Sequence, residues 1–128
     1  MERNLTRAGL IALAFATPAA ASAQSLEGKW ANPKRSVIVN VARCGESYCG
    51  TVSWATAKNR AKGTIPGTRV LSDLRPAGEG FYKGSAFDPK RNMRGSATVR
   101  QVEPDIMIVK GCALLGLVCS EQRWTRVS

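Results

Sequence analysis

The chain has 128 residues, with 19 Lys and Arg against 9 Asp and Glu, a formal net charge of +10 and no His. A chain of this length forms one domain with a modest core. The lack of His removes the commonest general base and the commonest metal ligand, and the positive charge favours anionic neighbours.

Arg3 and Arg7 precede an uncharged apolar run from Ala8 to Ala16, and Ala21-Ser22-Ala23 supplies a small-residue cleavage site. This pattern predicts a signal peptide over residues 1–23, cleaved after Ala23, in preference to an N-terminal core helix. The apolar run is too short to span a membrane, which takes about 20 residues. The remaining domain, residues 24–128, has about 105 residues and a net charge of about +9, a basic protein in the periplasm or secreted.

In such a compartment the four Cys are expected to pair. Of the three connectivities we favour Cys44–Cys49 with Cys112–Cys119, since each pair brackets a short turn between strand-like runs. Rings this small contribute only about 2 kcal/mol apiece in the chain-entropy model, so their expected role is to hold turn geometry. A four-Cys zinc site is the rival reading; the C-x4-C and C-x6-C spacings and an oxidising environment argue against it, and no metal is expected.

The domain then reads as short strands. Ser25 to Pro33 holds a short first strand through Gly28-Lys29-Trp30 that ends at Asn32-Pro33, Val37 to Ala42 is a β-branched strand, and Cys44 to Gly50 is a stapled turn returning through Thr51 to Trp54. Ala55 to Thr68 is read as an exposed basic loop with room for a helical turn. Arg69 to Leu74 is a strand, and Pro76 to Gly80 a turn. Phe81 to Phe87 is a strand and Asp88 to Asn92 a hairpin loop. From Gly95 to Val102 the chain alternates, with Gly95, Ala97 and Val99 on one face. Glu103-Pro104-Asp105 turns the chain into Ile106 to Lys110, then the ring Cys112 to Cys119, then the last strand. About eight short strands with no convincing helix predict an all-β, antiparallel up-and-down barrel, with a two-layer sandwich as the alternative.

No catalytic constellation emerges. With the Cys oxidised, no thiol nucleophile remains, and Ser lacks a partner base. Most carboxylates stand beside Gly or Pro in turns; Asp73 and Asp88 are the first to test for a carboxylate pair. The cations say more. Lys58, Arg60 and Lys62 fall in one loop and Lys90, Arg91 and Arg94 at another hairpin. At the same barrel end they would make an anion-attracting rim. Aromatics are not interleaved with them, which points away from specific nucleic-acid binding. The apolar run Ala113 to Val118 is expected to fold back and plug one barrel end; the alternative is an exposed patch for a lipid or protein partner.

Gly28-x-Trp30, Cys44 to Cys49-Gly50, Tyr82 to Pro89, and the ending Gly111-Cys112 through Cys119 to Val127 together resemble the bacterial exported domains of domain-of-unknown-function family 2147 (DUF2147). The resemblance covers nearly all of the mature chain and implies a small lipocalin-like (calycin-like) barrel. It implies no activity. The family's usual loop carries an Asp and an Asn-Pro; here residues 55–68 have no Asp, and Asn59 is followed by Arg60. In lipocalin-like barrels a Trp near the start closes one end beneath an Arg from near the final strand. The corresponding residues are Trp30 with Arg126 or Arg123, a contact of about 1–2 kcal/mol when partly buried.

The reading is an exported, non-catalytic binding or envelope-associated module, without cofactor, whose basic end meets an anionic envelope component or acidic protein. The alternatives are a His-independent carboxylate enzyme acting on envelope glycan or a phosphorylated compound, and a protein–protein module docking through residues 113–118.

Overall fold

In a computed structural model, which describes residues 25–128, the alternating runs become eight antiparallel strands. The expected signal peptide, residues 1–23, lies outside the described residues. The strands are β1 (Gly28–Ala31), β2 (Val37–Cys44), β3 (Ser47–Ala55), β4 (Arg69–Gly78), β5 (Phe81–Asp88), β6 (Met93–Glu103), β7 (Ile106–Ala113) and β8 (Val118–Arg126). Each pairs with the next, and β8 returns to β1 with Trp30 opposite Arg126 and Ala31 opposite Thr125. The sheet is a closed up-and-down barrel without free edges. Its last seam is short. It is extended by Val127 N–H donating to Lys29 O at 2.7 Å and Lys29 N–H to Ser128 O at 2.8 Å.

The first strand stops where the sequence places its end, at Asn32-Pro33, and two later stretches differ from the sequence reading. β1 ends at Ala31 because Asn32 Oδ1 accepts from the backbone N–H of Ser36 (2.8 Å) and Val37 (3.1 Å), turning the chain at once. Pro76 is no turn residue: β4 continues to Gly78, with Pro76 opposite Tyr82. Register shifts on either side of Pro76 let the ladder tolerate its missing N–H. The segment after Ala55 is only partly an exposed loop. It holds a helix, α1 (Ala57–Ala61), capped by Thr56, whose Oγ1 accepts from Asn59 N–H at 3.3 Å. Asn59 is buried, with Nδ2 donating to Ser36 O at 3.4 Å, and Thr64 is buried beyond it.

Both disulfides form as the local pairs, Cys44–Cys49 on the β2–β3 hairpin and Cys112–Cys119 on the β7–β8 hairpin. In an up-and-down barrel, alternate connections fall at opposite ends. The β2–β3, β4–β5 and β6–β7 turns and both ends of the described chain lie at one end. The β1–β2, β3–β4, β5–β6 and β7–β8 connections lie at the other.

Inward residues change in size from one end to the other. Leu26, Trp30, Leu74, Val99 and Met107 are fully buried toward the first end, where Tyr48 and Tyr82 meet edge to face at 5.7 Å. Toward the second end β5, β6 and β7 turn inward the small residues Ala86, Gly95, Gly111 and Ala113. Gly95 is required there, because a Cβ would collide with the backbone carbonyl of Cys112. Large side chains fill one half of the barrel and small ones leave the other half hollow.

Candidate functional site

The hollow half is a cavity of about 440 Å³ that opens at the second end. Its inner walls are apolar: Val37 and Val39 from β2, Val52 from β3, Val70 and Leu71 from β4, Val109 from β7, and Trp124 from β8. Polar side chains line it as well, among them Asn32, Thr64, Ser120 and the exposed Gln122. Gln122 Oε1 accepts from Trp124 Nε1–H at 2.8 Å, and buried Thr64 faces the cavity from the loop after α1.

The β5–β6 hairpin supplies the charged side of the mouth. Lys90, Arg91 and Arg94 all line it, with Asp88. Asp88 organises that hairpin: Oδ1 accepts from Lys90 N–H at 2.9 Å, and Oδ2 pairs with Arg91 Nη1 at 2.7 Å. Arg94 lies over the Phe87 ring at 4.4 Å, which holds the guanidinium at the rim. One carboxylate therefore faces three cations at this hairpin.

The second cationic group sits at the same end but outside the cavity. Lys58, Arg60 and Lys62 belong to α1 and its cap; all three are exposed and none lines the cavity wall. Arg60 turns back, donating from Nη1 to Ala55 O at 2.6 Å. The two cationic loops touch: a Cβ on Gly63, at φ +105°, would stand 3.1 Å from Pro89 O. The β1–β2 connection adds Lys34 and Arg35 to this end, and Thr56 N–H donates to Ser36 O at 3.0 Å to join it to the α1 loop. Asp73, by contrast, is on the outer wall, its Oδ1 2.9 Å from Arg75 Nε, and does not meet Asp88 across a cleft. Among the described residues, no group of three or more Cys, Asp or Glu could hold a metal ion.

The ring between Cys112 and Cys119 does not plug the barrel. Ala113, Val118 and Ser120 line the cavity at the base of the hairpin, while its tip projects outward: Leu115 is fully exposed and Leu117 is 85% exposed. The tip is too tight to reach back. Gly116 N–H donates to Ala113 O and Leu117 N–H to Leu114 O, both at 3.1 Å, so residues 113–117 form a compact turn. The expected plug is therefore wrong, and the alternative, an exposed apolar patch, is what the hairpin presents.

The opposite end is sealed. Arg126 lies 4.4 Å above the Trp30 ring, and Trp30 Nε1–H donates to Leu26 O at 3.0 Å. Arg126 also donates to Ser25 O (2.8 Å), Pro104 O (2.9 Å) and Glu27 O (2.5 Å), and pairs with Asp105 at 3.1 Å. Arg123 takes no part: it is exposed on the outer face, opposite Ile108.

A closed eight-stranded barrel, sealed at one end by Trp and Arg and hollow at the other, is lipocalin-like in architecture. The family is matched directly. Residues 28–126 fit the model of the family described as "Uncharacterized protein conserved in bacteria (DUF2147)", and the chain belongs to it. No curated protein and no solved structure matches the chain.

Proposed function

We propose that this barrel is an exported, non-catalytic binding module whose cavity takes a small amphipathic anion. The apolar body of the ligand lies among Val39, Val52, Val109 and Trp124, and its anionic head meets Lys90 and Arg91 at the mouth. The observation that carries the reading is the joining of an apolar cavity to a cationic rim on one hairpin. A volume of about 440 Å³ lies within the range of small-ligand pockets, roughly 300–1,000 Å³. Both disulfides support export, and the expected leader supplies the route.

Calorimetric titration with decyl phosphate tests the ligand class, with decanol as the uncharged comparison. Decyl phosphate is expected to bind and decanol to bind at least about tenfold more weakly, with the difference shrinking as salt is raised. Ala86→Phe fills the cavity and is expected to abolish binding. Equal affinity for decanol removes the role of the cations, and unchanged binding by the Phe variant removes the role of the cavity. For export, N-terminal sequencing of the protein from a periplasmic extract should begin at Gln24.

A further inference from the structure

The stapled tip beside the mouth calls for its own account. Leu114, Leu115 and Leu117 sit on a four-residue turn held between Cys112 and Cys119, and all three face solvent. Leu114 and Leu115 occupy left-handed backbone, at φ +53° and +57°, where bulky residues are unfavourable. A solvated turn would be satisfied by Gly or Asn at those positions. The apolar side chains therefore cost solubility and backbone strain, and no contact among the described residues offsets it.

Their surroundings identify the partner. Ile65, more than half exposed, stands in the α1 loop at the same end. The connections at this end carry Lys34, Arg35, Lys58, Arg60, Lys62, Lys90 and Arg91, and the acidic residues toward it are Asp88 at the end of β5 and Glu121 on β8; Glu27, Glu46, Glu79, Glu103 and Asp105 lie at the sealed end. An apolar tip that shares its barrel end with cationic connections matches a surface with negative charge outside and hydrocarbon beneath. Each Lys or Arg held near an anionic bilayer favours binding, and exposed leucines gain by leaving water.

We propose that the mouth end of the barrel docks onto an anionic lipid bilayer. Leu114, Leu115 and Leu117 enter the interface, and the Lys and Arg of the same end rest on lipid headgroups. Docked this way, the cavity opens toward the membrane, because Ala113 and Val118 at the root of the tip also line its wall. The inference gives the ligand of the proposed cavity a source, the bilayer itself, and for that step it rests on the cavity reading.

Sedimentation of the full mature protein with vesicles tests it. Binding is expected to vesicles of phosphatidylcholine with phosphatidylglycerol, and to be at least about tenfold weaker to phosphatidylcholine alone. L115S/L117S is expected to lower binding to the mixed vesicles by about tenfold or more, with an unchanged near-ultraviolet circular dichroism spectrum. K58E/K62E, which leaves the cavity lining untouched, should weaken binding and flatten its dependence on salt. Leu115→Trp should add an emission component that moves to the blue on mixed vesicles. Equal sedimentation of wild type and L115S/L117S overturns the proposal. So does a soluble oligomer that the same variant dissociates, without vesicle binding, which would assign the tip to protein contact. Binding of decyl phosphate by L115S/L117S separates the two readings. If it is retained while wild type ignores vesicles, only the docking fails; if wild type sediments but takes up no decyl phosphate, only the cavity reading fails.

Discussion

At the sealed end of the barrel Trp30, Leu26, Leu74 and Met107 are wholly buried, and one guanidinium, that of Arg126, holds three backbone carbonyls. At the mouth the inward positions of β5, β6 and β7 carry Ala86, Gly95, Gly111 and Ala113, and the leucines of the hairpin tip, Leu115 and Leu117, face outward. The same eight strands run through both halves, so the difference lies in side-chain volume and direction rather than in topology. It teaches where stability is concentrated. The sealed half buries large surfaces and satisfies its polar groups, while the hollow half leaves its walls free for other contacts.

The contrast can be broken most directly at Trp30. Trp30→Ala is expected to cost about 3–5 kcal/mol in urea denaturation, because a fully buried indole leaves a void that closed strands cannot collapse around. A loss below about 1 kcal/mol would mean that the sealed end does not hold the fold. Arg126→Met keeps apolar contact with the Trp30 ring but removes the donors to Ser25, Glu27 and Pro104 carbonyls. A loss of about 1–3 kcal/mol is expected, readable as a lower melting temperature. L115S/L117S sharpens the comparison from the other side. Its unfolding free energy should stay within about 0.5 kcal/mol of wild type, since both side chains are exposed.

The smallest effect is alkaline. Burial, and after it the neighbouring Tyr48, raises the pKa of Tyr82 above its ordinary value of 10.0. The folded state therefore holds this proton more firmly than the unfolded chain does. The associated stability is fully present below pH 10.0 and is lost as pH rises through the raised folded value. Tyr82→Phe should flatten the alkaline fall of the melting temperature and leave the neutral region unchanged. An equally steep alkaline limb in the variant would place the effect elsewhere.

Much of the barrel is legible in the sequence because closed antiparallel sheets repeat every second residue. Gly95, Ala97 and Val99 show the inward face of β6 directly, and the two Cys pairs mark the hairpins they staple. Pro76 misleads, since its usual place is a turn, and the register shifts that accommodate it arise only from pairing with β5. Asn59 and Thr64 look like surface loop residues until α1 folds over the barrel and buries them.

The cationic loops are visible as charge runs, but their common end follows only from the count of strands between them. The cavity itself is the least legible feature. Its signal is present, as small residues at the inward positions Ala86, Gly95, Gly111 and Ala113, yet it has meaning only once strands from across the barrel are known to face one another. At Leu114 to Leu117 the sequence reading favours a plug over an exposed patch, and the structure shows the patch. Turn hydrogen bonds decided between them, and they depend on backbone geometry rather than on hydrophobicity.

The two staples differ in how a reductant can reach them. Cys49 is buried beneath the β2–β3 hairpin, whereas Cys119 stands open to solvent beside the cavity. Mild thiol treatment should therefore open the ring around the leucines first, exposing two alkylatable sulfurs on a barrel whose floor is still shut. The protein would then lose the shape of its rim before it loses its fold.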